Sequence, residues 1–270
     1  MGYGLKVLVI GFIGNLGPYV VESLRADHDL KLADLGDPSG GSGSTSSRWA
    51  TKGENVHTKP FSPDSMRASH DCVRLDVADL NQVIEASEGM DAIVNLFVMR
   101  EDRKLAFDVN FRGSYNVMVA AAKHGIRKVI NTGAHFTIAG PSYEHYDYDI
   151  GEDIPAQPGV KMYPLTKSLG LEVSRAFSER YKIYVLWLLF YNFFNPEDVA
   201  PRHHAPFLVD WADAGDAVRC ALEVDLEKLP SKCESFYIST DIPHGKFSNK
   251  KAKHFLEWCP TTQLKNIWKM

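Results

Sequence analysis

The stretch from Gly11 to Gly17 constrains the fold of this chain more than any other part of its sequence. It reads Gly-Phe-Ile-Gly-Asn-Leu-Gly, with the apolar run Leu5–Ile10 before it and Pro18–Ala26, apolar at helical spacing, after it. Glycines between a buried strand and a helix let the backbone approach a pyrophosphate, which the helix N-terminus then binds. The alternative is a turn that serves only close packing of the helix on the strand. The pattern predicts a dinucleotide-binding turn formed by Gly11, Phe12, Ile13, Gly14, Asn15, Leu16 and Gly17.

An acidic residue at the end of the next strand indicates which dinucleotide this turn binds. The predicted strand Leu30–Leu35 contains Asp34. A carboxylate at this point accepts hydrogen bonds from the adenosine ribose hydroxyls and repels the 2′-phosphate of NADP. We therefore expect NAD as the cofactor, with NADP as an alternative because Lys31 and Arg48 lie nearby in the sequence.

Strands and helices alternate along the first 190 residues. Short apolar runs predict four more strands, at Asp71–Leu75, Ala92–Phe97, Lys128–Thr132 and Ile183–Phe190. Helical spacing predicts helices at Leu80–Ser87, Ala106–His124 and Pro164–Tyr181. This alternation is typical of an α/β fold with a Rossmann-like, doubly wound parallel sheet.

The chain is predicted to form a single compact unit with two parts. Residues 1–190 form the dinucleotide-binding Rossmann domain, and residues 191–270 form a small substrate-binding lobe packed on it. The lobe is predicted to contain a helix at Ala212–Val224, a strand at Ser235–Ser239 and a short helix near Lys250–Trp258. Residues 36–47 are rich in glycine and serine and predict a loop.

Composition argues against several classes of partner. The formal net charge is -4, which favours binding neither to nucleic acid nor to an anionic membrane. No segment approaches the roughly 20 apolar residues that a membrane-spanning helix needs. The four cysteines, Cys72, Cys220, Cys233 and Cys259, form no C-x-x-C pair, and no cluster has metal-ligand spacing. We expect reduced thiols, no metal and a cytoplasmic protein.

Tyr163 and Lys167 form a pair with catalytic potential. They lie four residues apart in a predicted helix, so their side chains share a face. A nearby ammonium group favours the ionised phenol and lowers the tyrosine pKa. Such a tyrosine acts as a general base toward a substrate hydroxyl.

Together, these motifs resemble those of the extended short-chain dehydrogenases/reductases, in the NAD-dependent epimerase/dehydratase branch. Shorter stretches, such as Leu32–Leu35 and His135–Ile138, resemble uronate dehydrogenases in particular. The resemblance implies catalysis by Tyr163 and Lys167, which also contact the cofactor. It further implies cofactor contacts from Asp76, Val77, Asn95, Leu96, Phe97 and Asn110, and substrate contacts from Ala134, His135, Phe136 and Asn192.

Two positions depart from the family pattern. Ala134 occupies the place of a serine or threonine that hydrogen-bonds the reacting oxygen, so Thr132, His135 or Thr137 would have to supply this donor. Leu189 occupies the place of an arginine that helps uronate dehydrogenases bind the substrate carboxylate. The second departure argues against a uronate substrate.

Two functions from different classes remain open at this point. The first is an NAD(P)-dependent oxidoreductase or epimerase that acts on a hydroxyl of a sugar, sugar acid or nucleotide sugar. The second is a catalytically impaired NAD-binding protein with a regulatory or scaffold role. Relatives of this fold pair through the two long helices, whose apolar residues extend beyond one face, so we expect a homodimer.

Overall fold

The computed structural model describes residues 4–36, 60–100, 102–140, 149–195, 207–242 and 245–263. Nine strands lie in these ranges, and seven of them form one sheet in the order β3-β2-β1-β4-β5-β6-β9 with every pair parallel. The remaining two, β7 and β8, form a small parallel pair. In chain order the strands are β1 (Lys6–Ile10), β2 (Asp29–Asp34), β3 (Asp71–Arg74), β4 (Ala92–Asn95), β5 (Lys128–Ala134), β6 (Tyr184–Phe190), β7 (Asn192–Phe194), β8 (Leu208–Asp210) and β9 (Cys233–Tyr237).

Helices cover both faces of the sheet. They are α1 (Gly17–Leu24), α2 (Pro63–Ser69), α3 (Leu80–Ala86), α4 (Arg103–Ala106), α5 (Gly113–His124), α6 (Met162–Tyr181), α7 (Trp211–Glu223) and α8 (Lys250–Phe255). A π-helical segment, Phe107–Arg112, joins α4 to α5, and short 3-10 turns occupy His135–Thr137 and Leu226–Lys228.

The apolar runs of the central strands become a two-sided core. Successive residues of a strand point to opposite faces, so Val7 and Val9 pack with α1 and α7, while Leu8 and Ile10 pack with α3 and α5. A strand that is apolar on both faces fits only the interior of a covered parallel sheet. The predicted α/β, Rossmann-like sheet is confirmed.

The order of the strands places ligand-binding loops at one point. The strand order reverses between β1 and β4, which pair in parallel from Val7 and Ala92 onward. In open α/β sheets, ligands bind outside the carboxyl ends of the strands at such a switch point. The segments that follow β1 and β4 begin at Gly11 and Leu96, and these are the segments of the predicted site.

Several features differ from the sequence prediction, which also lacked β7 and β8. The helix α2 was not predicted; Ser62 caps it by accepting a hydrogen bond from Ser65 N, and Met66 is its one buried residue. The fifth strand continues two residues beyond Thr132, to Ala134. The predicted helix Ala106–His124 is interrupted by the π-helical segment, which sequence periodicity does not reveal.

The C-terminal part of the chain contributes both to the main sheet and to the helices that cover it. Its strand β9 pairs with β6 and extends the main sheet, while α7 packs against α1. The boundary at residue 190 stays a prediction. Within the described ranges, no helix combines the length and apolarity that crossing a membrane requires. Of the predicted loop 36–47, all but residue 36 lies outside the described residues.

Candidate functional site

Two glycines of the turn are required by the protein itself. Gly11 has a φ of +91°, which side chains rarely adopt, and a Cβ there would lie 3.0 Å from Phe97 N. A Cβ on Gly17 would lie 1.9 Å from Phe12 O, so α1 could not approach the turn. At these two positions, backbone conformation and packing explain the glycine without a bound ligand.

The middle glycine has a different environment. Gly14 is exposed, and among the described residues a Cβ there would meet one atom within 4 Å, Gly11 O at 3.2 Å. Packing therefore explains Gly14 less well than close approach of a ligand to the backbone at the N-terminus of α1. An exposed glycine at this point fits a bound pyrophosphate.

Asp34 lies beside the turn. One carboxylate oxygen accepts a hydrogen bond from Ile13 N at 3.1 Å, and the other accepts from Gly36 N at 3.1 Å. A carboxylate oxygen has two acceptor sites, so each retains capacity for a ribose hydroxyl. The half-buried Asp34 thus fits the ribose contact predicted for it and also fixes the shape of the turn.

The loop after β3 is held by side-chain hydrogen bonds. The half-buried Asp76 accepts from Ala78 N at 2.9 Å through its carboxylate. The carbonyl of Val77 accepts from the Asn116 side chain at 2.8 Å. The structure therefore fixes the backbone of the two residues that the family resemblance assigns to the adenine contact.

The end of β4 is organised by a buried asparagine. The Asn95 side chain donates to Asn131 Oδ1 at 2.8 Å and accepts from Phe97 N at 3.2 Å. Since Asn95 is fully buried, it supports the site from inside the sheet, and the backbone of Leu96 and Phe97 forms the surface against Gly11.

Asn110 lies in the π-helical segment and binds the loop that follows β4. Its amide accepts from Met99 N at 2.9 Å and donates to Met99 O at 2.7 Å, so it binds both backbone polar groups of one residue. The same amide nitrogen also lies 3.0 Å from Thr166 Oγ1. Asn110 therefore connects this loop to α6, at a residue between Tyr163 and Lys167.

Lys167 connects two strand ends through its amine. Its Nζ donates to Phe97 O and to Thr132 O, each at 2.9 Å, and the residue is only 1% exposed. Burial, together with the nearby Arg100 charge, lowers the pKa of Lys167 to about 7. Burial disfavours the charged form of an amine, and a pKa lowered in this way is typical of a functional lysine.

Tyr163 lies one turn before Lys167 and is half-buried. The ring of Phe136 meets it edge-on at 5.6 Å, and the Arg100 guanidinium carbon lies 5.1 Å from the Tyr163 ring centroid. Burial raises the pKa of Tyr163, contrary to the lowering expected from Lys167, and the Arg100 charge opposes this rise. No sequence motif marks Arg100, and the chain path alone brings it to Tyr163.

The three side chains expected to replace the missing serine hydroxyl contact other parts of the protein. Thr132 Oγ1 donates to Asn95 O at 3.1 Å, and Thr137 is fully buried with its hydroxyl on the Gly133 side. His135 lies among four aromatic rings at centroid distances of 4.6 to 5.2 Å. Burial, helped by the Lys246 charge, lowers the pKa of His135 to about 3, so this imidazole is neutral at physiological pH.

The predicted substrate residues lie at the carboxyl ends of β5 and β6. Ala134 is the last residue of β5 and pairs in register with Phe190. Phe136 is half-buried and contacts Tyr163, while the half-buried Asn192 begins β7 and donates its backbone N–H to Phe207 O at 3.3 Å. Leu189 is fully buried opposite Gly133, so this position contributes no polar group.

Comparison with known proteins identifies related sequences and folds. The model of the NAD dependent epimerase/dehydratase family matches residues 7–221. A uronate dehydrogenase of Agrobacterium fabrum is 28% identical over 113 residues, which cover 41% of this chain and 41% of that relative. The chain thus spans less than half the length of this relative. An L-arabinose 1-dehydrogenase (NAD(P)(+)) of Haloferax volcanii is 23% identical over 253 residues, covering 83% and 85% of the two chains.

A solved structure with the same fold is the uronate dehydrogenase from Agrobacterium tumefaciens. It superposes with a TM-score of 0.72 at 21% identity, over 97% of this chain and 86% of that structure. At this identity the likeness concerns the fold alone.

Proposed function

We propose that this chain, which belongs to the NAD dependent epimerase/dehydratase family, oxidises a hydroxyl of a sugar, sugar acid or nucleotide sugar. The observation that carries the proposal is the buried amine of Lys167, which binds the segment after β4 and the carboxyl-terminal part of β5, one helical turn from Tyr163. This pair lies at the carboxyl edge of the sheet, as does the glycine turn. A hydroxyl-bearing substrate beside the pair would meet a base and a cation together.

The residues present fit NAD. Gly14 leaves the N-terminus of α1 open to a pyrophosphate, Asp34 offers acceptor capacity to the ribose, and Lys167 offers a cation at the opposite end of the site. When bound, NAD supplies a hydride acceptor. The carboxylate of Asp34 disfavours the additional phosphate of NADP.

Proton transfer is the task of Tyr163. The phenolate form takes the proton of the substrate hydroxyl, so that the carbon bearing it can lose hydride. Lys167 stabilises the phenolate electrostatically, and a low local dielectric strengthens this effect. Asn110 and Thr166 keep the helix that carries the pair fixed against the segment after β4.

The fate of the oxidised sugar distinguishes two activities. In a dehydrogenase the ketone or lactone leaves, and in an epimerase the hydride returns to the other face of the ketone. The named activities of the uronate and L-arabinose relatives support a dehydrogenase. Because Leu189 is buried and apolar, a neutral sugar or nucleotide sugar fits the site better than a uronate held by an arginine at that position.

A regulatory or scaffold role is the second candidate. Ala134 offers no donor, and the hydroxyls of Thr132 and Thr137 are directed into the protein. Such a protein would bind NAD without oxidising any sugar. The retained Tyr163–Lys167 pair favours the enzyme.

A substrate panel separates the candidates. Purified protein with NAD is incubated with aldoses, uronates and nucleotide sugars, while NADH absorbance and the identity of the sugar products are measured. The proposal expects NADH or an epimerised sugar from at least one class, and Tyr163→Phe should abolish it. NAD binding without turnover of any class would favour the regulatory role.

We also propose that two copies of the chain associate through α5 and α6. Tyr115 of α5 meets Phe177 of α6 edge-on at 5.6 Å, so the helices share one face. Large apolar side chains on and around this face are exposed to between 40% and 51%: Leu105, Phe107, Tyr115 and Tyr181. A helical face of this kind favours burial against a second copy.

A further inference from the structure

Ala134 leaves the site without a side-chain donor at the position where the family resemblance places one. Ala134 is buried, and the side-chain hydroxyls nearest to it in the sequence do not replace the missing donor. Thr132 Oγ1 binds Asn95 O, and Thr137 is fully buried. An ionising phenol in a half-buried site nevertheless needs a partner that stabilises its negative charge.

One further cation lies against the Tyr163 ring. The guanidinium carbon of Arg100 is 5.1 Å from the ring centroid, on a side chain that is otherwise exposed. Arginine stays charged at every working pH and presents five N–H donors. The amine of Lys167, by contrast, has two carbonyl acceptors at 2.9 Å.

The backbone before Arg100 is fixed rather than loose. Asn110 accepts from Met99 N and donates to Met99 O, which clasps the residue next to Arg100. Asn110 also reaches Thr166, in the same helix as Tyr163. Its π-helical segment has the irregular geometry that is frequent at functional sites. The structure thus holds the start of the Arg100 side chain at a set distance from Tyr163.

We infer that Arg100 is a positioning residue for Tyr163, whose ring it contacts and whose ionised form it stabilises, at a site where Ala134 offers no donor. The inference rests on the proposed role of Tyr163 as proton acceptor. Other charged groups near this region are Lys167 on α6 and Lys246, which lies on the His135 side. His135 itself is neutral, so among the described residues Arg100 is the permanent charge at the Tyr163 ring.

The test measures the ionisation of Tyr163 without any substrate. Protein labelled with ¹³C at the tyrosine Cζ is titrated by NMR, and the Tyr163 resonance is assigned by its loss in Tyr163→Phe. Replacement of Arg100 by glutamine should raise the Tyr163 pKa by about one unit or more, because an opposite charge within about 4–6 Å has this effect. Arg100→Lys should retain part of the effect.

A matched control is available on α6. The Arg180 guanidinium carbon lies 5.4 Å from the Tyr181 ring centroid, in the same kind of contact but at the far end of the helix. Arg180→Gln should leave the Tyr163 titration unchanged. Equal Tyr163 pKa values in the wild type and Arg100→Gln would overturn the inference, and circular dichroism establishes that both proteins are folded.

Kinetics separate this inference from the proposed function. If a sugar reduces NAD, the pH profile of kcat/KM should shift upward in Arg100→Gln by the same amount as the NMR titration. A wild type that turns over with an unshifted profile in the variant refutes the role of Arg100 and leaves the proposed function intact. If no sugar reacts, the proposed function fails, and the NMR titration still decides whether Arg100 controls Tyr163.

Discussion

Replacement of Lys167 by methionine should change how stability depends on pH. The lysine is 1% exposed, and burial lowers its pKa from 10.5 to about 7. The unfolded chain binds this proton more tightly, so the stability associated with the neutral amine is present above pH 10.5 and is lost as the pH falls through about 7. Between about pH 10 and about pH 7, the shift corresponds to a loss of about 3 to 4 kcal/mol.

Urea unfolding at the two pH values measures this effect directly. The free energy of unfolding of the wild type, minus that of Lys167→Met, should be about 3 to 4 kcal/mol larger at the higher pH. The difference matters more than either value alone, because the variant also leaves Phe97 O and Thr132 O without their donor at every pH. The exposed Lys161, just before α6, offers the control variant Lys161→Met. The free energy of unfolding of this variant should depend on pH as that of the wild type does. An equal pH dependence in the wild type and Lys167→Met would refute the lowered pKa of the buried amine.

Four further predictions concern the glycine turn, the cofactor and the assembly. Gly17→Ala should destabilise the fold by about 1–3 kcal/mol or more in urea, because its Cβ would lie 1.9 Å from Phe12 O. Gly14→Ala should spare the fold and weaken NAD binding by calorimetry, and unchanged NAD affinity would argue against a pyrophosphate there. Asp34→Asn should reduce the preference for NAD over NADP by about tenfold in paired titrations, equivalent to about 1.4 kcal/mol; tighter NADP binding by the wild type would contradict the role of Asp34. Light scattering at micromolar concentration should report about twice the chain mass of 30.2 kDa, and a monomer would count against the shared face of α5 and α6.

The architecture was accessible from sequence because it depends on local signals. Buried parallel strands are short apolar runs, and each of the six predicted in the first 190 residues is present within two residues of its predicted ends. The glycine turn was equally accessible, because a positive φ at Gly11 and close packing at Gly17 leave no other residue type. A backbone requirement of this kind fixes the residue type at a single position, so it can be recognised in the sequence without knowledge of distant contacts.

The rest of the site depends on long-range geometry. Asn110 lies in a segment whose composition suits a regular helix, and the π-helical turn arises where the segment meets Met99 and Thr166. Arg100 has no sequence signal, because its partner Tyr163 lies 63 positions later and only the sheet order brings them together. The same holds for Lys167, whose position on α6 was predicted while its two carbonyl acceptors were not.

Hydride transfer from a sugar carbon tests the proposed function most directly. One sugar of each class in the substrate panel is prepared with deuterium on the carbon that bears the hydroxyl to be oxidised, and each is incubated with the protein and NAD. Mass spectrometry should then find the deuterium in NADH, or on the inverted carbon of an epimerised sugar, and Tyr163→Phe should show neither. If deuterium stays on the original carbon in every class of sugar while NAD binds normally, this chain binds the cofactor without oxidising a sugar.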